Sequence, residues 1–144
     1  MPADSVRAAA VGASLHTAWV AVVALIGSGD DVELAYRGRL ELVTDPMPAQ
    51  AYHAAAEGGL SLPEAKELIR SWLDQASASA RAGLQQLALN LETAGADLRS
   101  CALFGQPKRL PPLERILTSH LLLHAAEGQM SREALYPGRP RRRA

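Results

Sequence analysis

Beginning at Ser61, the chain places apolar side chains at helical spacing for about nine turns: Leu68, Ile69, Trp72, Ala76, Ala80, Leu84, Leu87 and Leu91. Ser61 and Glu64 form a Ser-x-x-Glu capping box, Leu60 and Ala65 are placed as a hydrophobic staple, and Gly95 supplies the stop. The predicted helix spans about 33 residues, roughly 50 Å at 1.5 Å per residue. A chain of 144 residues is one domain's worth, so this rod must organise whatever packs on it. Ser77, Ser79 and Gly83 mark either a bend or a length that projects into a partner. Ala76, Ala80 and Gly83 keep one stripe small, and Leu73 and Leu89 add apolar surface beside it. That pattern predicts close packing against a second copy, a homo-oligomer, or a protein partner.

The pattern before the helix is different. Ala and Leu dominate the apolar content, whereas Val and Ile number only ten and lie mostly between Val6 and Val43. β-Branched residues favour strands. Ser5–Gly12 reads as a weak strand, with 13–15 turning the chain. His16–Ile26 reads as a strand inside a sheet, apolar on both faces. Gly27-Ser-Gly-Asp-Asp31 is a turn. Residues 32–43 then alternate, with Val32, Leu34, Tyr36, Leu40 and Leu42 on one face of a half-exposed antiparallel strand. Asp45-Pro-Met-Pro48 ends the sheet pattern, and residues 49–59 form a loop or a short helix.

After the long helix, residues 96–104 (ADLRSCALF) read as a strand parallel to an earlier one, because a helix makes the crossover. Pro111 and Pro112 open a second helix that runs at least to Glu127. Residues 131–136 continue it or form a last short strand, with helix the preferred reading. The fold class is therefore α/β, in the order β-β-β-α-β-α with a three-stranded antiparallel start. It forms a single domain over 1–138, followed by a disordered basic tail over 139–144.

The run VRAAAVGASLHTAWVAVVAL, then ADLRSCALFG, then the proline-opened helix, resembles the Holliday-junction-resolvase branch of the ribonuclease H-like superfamily. It is also similar to a group of uncharacterised bacterial proteins. The Trp19 strand and the Phe104-Gly105 strand end are the closest local matches, and the element order extends the likeness over most of the chain. The resemblance implies a fold whose nucleases place an Asp on the first strand and an acid at the end of the fourth. Here those places are Ala10-Val11-Gly12 and Ser100-Cys101. Two-metal phosphodiester cleavage needs clustered carboxylates around hard cations. The resemblance thus implies the scaffold without that chemistry.

Charge and composition narrow the classes further. The net charge is zero, but Arg139, Arg141, Arg142 and Arg143 lie in the tail, leaving 11 basic residues against 15 acidic ones in the body. That body lacks the positive field of a nucleic-acid surface. Aromatic residues are 4% and are not interleaved with basic ones, which argues against a single-strand platform. Nucleic acid is not an expected partner. The 13 Arg against 2 Lys read as the coding bias of a GC-rich bacterium. The longest apolar run, residues 18–26, is far too short to span a bilayer, and no cleavage site follows it. Cys101 is the single cysteine, which excludes an internal disulfide or cysteine zinc site and fits a cytoplasmic protein. On a buried strand it is expected to behave as a small hydrophobe.

The chemistry-bearing residues collect on the second helix. His120, His124 and Glu127 interrupt its apolar stripe of Leu113, Ile116, Leu117 and Leu123. Two imidazoles one turn apart can share a metal, and Glu127 can either join them or orient a ring. Such a set suits Zn²⁺, Fe²⁺ or Mn²⁺ as a divalent cofactor. The same residues can instead bond within a core or form a metal-free polar site. His16 at the first hairpin and His53 after the third strand are the candidates to join them. The loop Gln106-Pro-Lys108-Arg109 is a solvated loop or an anion contact. No Gly-rich phosphate loop and no Gly-x-Ser-x-Gly motif is present.

Two functional readings follow. One is a non-nuclease ribonuclease H-like domain that works by binding. The other is a His-centred, hydrolase-type enzyme, metal-dependent or not, using His120, His124 and Glu127 with His16 or His53. Convergence of these side chains discriminates between them.

Overall fold

The computed structural model describes residues 5–136; the expected tail over 139–144 lies outside them. The elements are β1 (Arg7–Leu15), β2 (Trp19–Ser28), β3 (Asp31–Glu41), α1 (Ala51–Glu57), α2 (Leu62–Thr93), β4 (Ala96–Leu103), α3 (Leu113–Ile116) and α4 (His120–Leu135). The four strands form one mixed sheet in the order β3-β2-β1-β4. β1, β2 and β3 are antiparallel neighbours, and β4 lies parallel to β1. The α/β class and the mixed sheet agree with the sequence reading. No helix among the described residues is long and apolar enough to cross a membrane.

Strand alternation decides where the core sits. Val20, Val22, Ala24 and Ile26 of β2, with Ala9 and Val11 of β1, turn inward. They meet Trp72, Ala76, Ala80, Leu87 and Leu91 of α2, and Met130 and Ala134 of α4. Trp72 is fully buried, and its indole N–H donates to the Pro48 carbonyl at 3.1 Å. β2 is central, yet its second face is only half covered. Leu25 on that face is exposed.

β3 departs from the expected single apolar face. Ala24 pairs with Tyr36, but Leu25 pairs with Leu34, leaving Ala35 as an extra residue. A bulge of one residue inverts the facing of everything beyond it. Tyr36 and Leu40 therefore share the helix side with Ala24 and Val20, while Val32 and Leu34 share the other face with Leu25 and stand exposed.

α2 is the long helix expected. Ser61 Oγ accepts from the Glu64 N–H, and the Glu64 carboxylate accepts from the Ser61 N–H. Gly95 adopts the left-handed conformation at φ 80°, which stops the helix without a Cβ penalty. The helix runs unbroken through Ser77, Ser79 and Gly83. Gly83 faces the Leu40 side chain of β3, which occupies the space a Cβ would need. The small residue there admits the sheet.

Two further expectations are corrected. The helix opened by Pro111 and Pro112 is two helices: a single turn, α3, and then α4. Thr118 Oγ1 donates to the Arg115 carbonyl, Ser119 is extended, and Ser119 Oγ accepts from the Leu122 N–H. Short hydroxyl side chains satisfy backbone groups locally and so favour a restart over continuation. Residues 131–135 continue α4. Cys101 is exposed, not buried. It pairs with the inward-facing Val11, but β4 is an edge strand and only its first residue, Ala96, is fully covered.

Candidate metal centre

α1 and α4 are held together by a small second core. Ile116, Leu123 and Ala126 are buried there against Tyr52, Ala56, Leu110, Leu117 and Leu122. α1 is only seven residues long, and no side chain caps it. Its place is therefore set by the apolar contacts of Tyr52 and Ala56, together with buried Ala51 and Ala55. That packing carries His53, between Tyr52 and Ala56, to the face of α4 that bears His120, His124 and Glu127.

Three imidazoles converge. One ligating nitrogen from each of His53, His120 and His124 lies within 4.8 Å of the other two. His120 Nε2 and His124 Nε2 are 3.0 Å apart, and the His53 ring centroid is 4.8 Å from that of His124 and 5.8 Å from that of His120. In a tetrahedral zinc site, nitrogens at about 2.0–2.1 Å from the metal stand about 3.3 Å apart. The His120–His124 pair, within hydrogen-bond distance of each other, is close to that spacing. With all three nitrogens within 4.8 Å of one another, the triangle with His53 exceeds that spacing by at most about 1.5 Å.

Glu127 stands behind His53. Its Oε1 accepts the His53 backbone N–H at 3.0 Å and contacts the ring Nδ1 at 3.2 Å. An ionised carboxylate only accepts, so in that state of Glu127 it is Nδ1–H that donates to it and Nε2 that carries the lone pair. His53 Nε2 is buried and, among the described residues, has no hydrogen-bond partner. The side chains of His53 and Glu127 are each only 12% exposed. Burial raises the Glu127 pKa above its ordinary value, opposed by the hydrogen bonds and charge of His53 and by the Tyr52 N–H.

The donor set is nitrogen only, because Glu127 is engaged with His53 and the Tyr52 backbone. Three imidazoles suit Zn²⁺, Cu²⁺, Ni²⁺ or Co²⁺ better than Mg²⁺ or Ca²⁺. A carboxylate that fixes the tautomer of a ligating histidine is a recurrent partner in zinc sites. His120 and His124 are exposed, so the centre opens to solvent on one side.

The other sequence candidates lie apart from this cluster. The His16 ring stacks on Trp19 at 4.0 Å with planes 5° apart, and the Arg39 guanidinium lies 3.9 Å from the Trp19 ring centroid. Lys108 and Arg109 are in an exposed loop whose Lys108 N–H donates to Gln129 Oε1. Cys101 is no part of the cluster. His53 was one of two sequence candidates to join His120. Its bond to Glu127 joins residues 74 positions apart, which no local pattern signals.

Comparison with models of protein families, with curated proteins and with solved structures finds no match to this chain.

Proposed function

We propose that this chain binds one divalent transition metal, zinc by preference, through Nε2 of His53, His120 and His124. Glu127 acts as the residue that orients His53. The observation that carries the reading is the buried Nε2 of His53, without a hydrogen-bond partner among the described residues and with Nδ1 turned to Glu127, beside an exposed His120–His124 pair close to ligand spacing. A buried polar atom without a partner is costly and calls for an explanation. A metal supplies one.

The scaffold reading is ribonuclease H-like. It is supported by the strand order β3-β2-β1-β4, the antiparallel first three strands and the helical crossover to a parallel β4. On that scaffold the histidine centre draws on α1 and α4, and the strand positions that bear acids in the nucleases bear none here. A reducing cytoplasm suits the single exposed cysteine.

The second reading is a binding domain that works as a homo-oligomer or with a protein partner. It is favoured by the sheet face that exposes Leu25, Val32 and Leu34. Elemental analysis of untagged protein, beside a His120→Ala/His124→Ala double variant, separates the two. Stoichiometric metal in the wild type and none in the variant supports the metal reading. No metal in either leaves the binding domain, whose partner a pull-down would seek.

A further inference from the structure

We infer that this centre is reactive rather than structural: a metal-bound hydroxide that hydrolyses small carboxylic esters reaching it from solvent. The inference rests on the metal reading above.

Four observations carry it. Structural zinc sites are closed by four protein ligands, whereas catalytic ones keep three and an open position. Among the described residues, three side chains form this group and no fourth histidine, cysteine or carboxylate joins it. Next, the open side faces water. His120 and His124 are exposed, and Leu121 between them is 82% exposed. A fourth ligand position on that side would be open to solvent.

Third, Glu127 is committed to His53 and cannot serve as a ligand or as a base for the bound water. The proton of that water therefore leaves to bulk buffer. Fourth, the centre is not enclosed. A cleft of about 670 Å³ lies between Pro46–Pro48 and Glu64–Ser71, and one of about 300 Å³ between Ala80–Ala88 and Ala134; no histidine lines either. A reactive group on an open surface selects by size and electrophilicity rather than by shape. Small esters with good leaving groups fit that description.

The step balances without a further reactant. Metal-bound water gives one proton to buffer. The resulting hydroxide attacks the ester carbonyl carbon, and the metal stabilises the negative charge that develops on oxygen. The bond to the leaving oxygen breaks, the proton that arrived with the attacking hydroxide passes through solvent to that oxygen, and the carboxylate product is displaced by a new water.

The test uses the full chain carrying Cys101→Ser, because an exposed thiol attacks esters by itself. Hydrolysis of 4-nitrophenyl acetate is compared for zinc-loaded protein, the same protein after chelation, and His120→Ala/His124→Ala. Zinc binding is measured on each sample. The expected result is one zinc per chain and a rate at least ~10-fold above the chelated sample, lost in the double variant. His16→Ala retains the full zinc-dependent rate. One zinc per chain with no rate above the chelated sample overturns this inference and leaves the metal reading standing. No zinc bound by the folded protein overturns both.

Discussion

Glu127 Oε1 makes two contacts with one residue: it accepts the backbone N–H of His53 at 3.0 Å and lies 3.2 Å from its ring Nδ1. The pair fixes which nitrogen of His53 faces the neighbouring imidazoles. Burial of this carboxylate without metal works against the fold, since desolvation disfavours its charged form.

Replacing Glu127 by Gln therefore has two opposite effects. Burial raises the carboxyl pKa above its ordinary 4.5. The folded state then holds the proton more tightly than the unfolded chain. The contribution to stability is full below pH 4.5 and is lost as pH rises through the folded value. At pH 7 the metal-free Glu127→Gln variant is at least as stable as the wild type in urea denaturation, and the difference shrinks towards pH 4. Its zinc affinity falls about 10–100-fold, because the ligating ring loses its anionic partner. A Gln variant that is markedly less stable at pH 7 and binds zinc normally contradicts this account.

Gly83 is in a helix interior, where Ala is ordinarily worth about 1 kcal/mol more than Gly. Here the Leu40 side chain fills the position of the added Cβ. Gly83→Ala is expected to destabilise by about 1 kcal/mol, as overpacking does. In a Leu40→Ala background the same substitution stabilises. The sign change in a double-mutant cycle is the observation to make; equal effects in both backgrounds remove Leu40 from the explanation.

The start of α2 makes a separate, local prediction. Ser61→Ala removes a side-chain cap and costs about 1 kcal/mol. Glu64 accepts the Ser61 backbone N–H at 2.8 Å, and this bond, followed by that with the Ser61 side chain, lowers its pKa below 4.5. The stabilisation is present above pH 4.5 and disappears as pH falls through the folded value. Denaturation curves of Glu64→Gln and wild type converge at acid pH if this is right. A constant offset across the range rules it out.

How much of this was legible depends on the range of the interaction. α2 was readable because the capping box, the apolar stripe and Gly95 are all local signals. The succession of strands and helices was readable from the switch between a period of two and helical spacing, whereas the pairing of β4 with β1 was not. The bulge at Ala35 was not: every residue around it is a good strand former, and only pairing with β2 shows which one is extra. Cys101 looked buried because ADLRSCALF is apolar enough for a core strand, but the edge position of β4 is a property of the whole sheet. His120 and His124 announced each other by spacing, whereas His53 reaches them only through the packing of Tyr52 and Ala56 on α4.

The exposure of Cys101 gives the simplest check of that correction. The native protein reacts with a maleimide at a rate close to that of a free thiol in an unfolded peptide, and labelling leaves the unfolding midpoint unchanged. A native rate slowed a hundredfold or more returns Cys101 to the core.

The central claim is that His53, His120 and His124 hold one metal ion through Nε2. Long-range ¹⁵N–¹H spectra of the imidazoles, recorded as Zn²⁺ is added to metal-free protein, test it directly. The account predicts His53 with Nδ1 protonated before addition. It predicts that the Nε2 resonances of His53, His120 and His124 move together and saturate at one equivalent, while His16 on Trp19 stays in place. A His53 that does not respond, or four histidines that drift together without saturating, contradicts it.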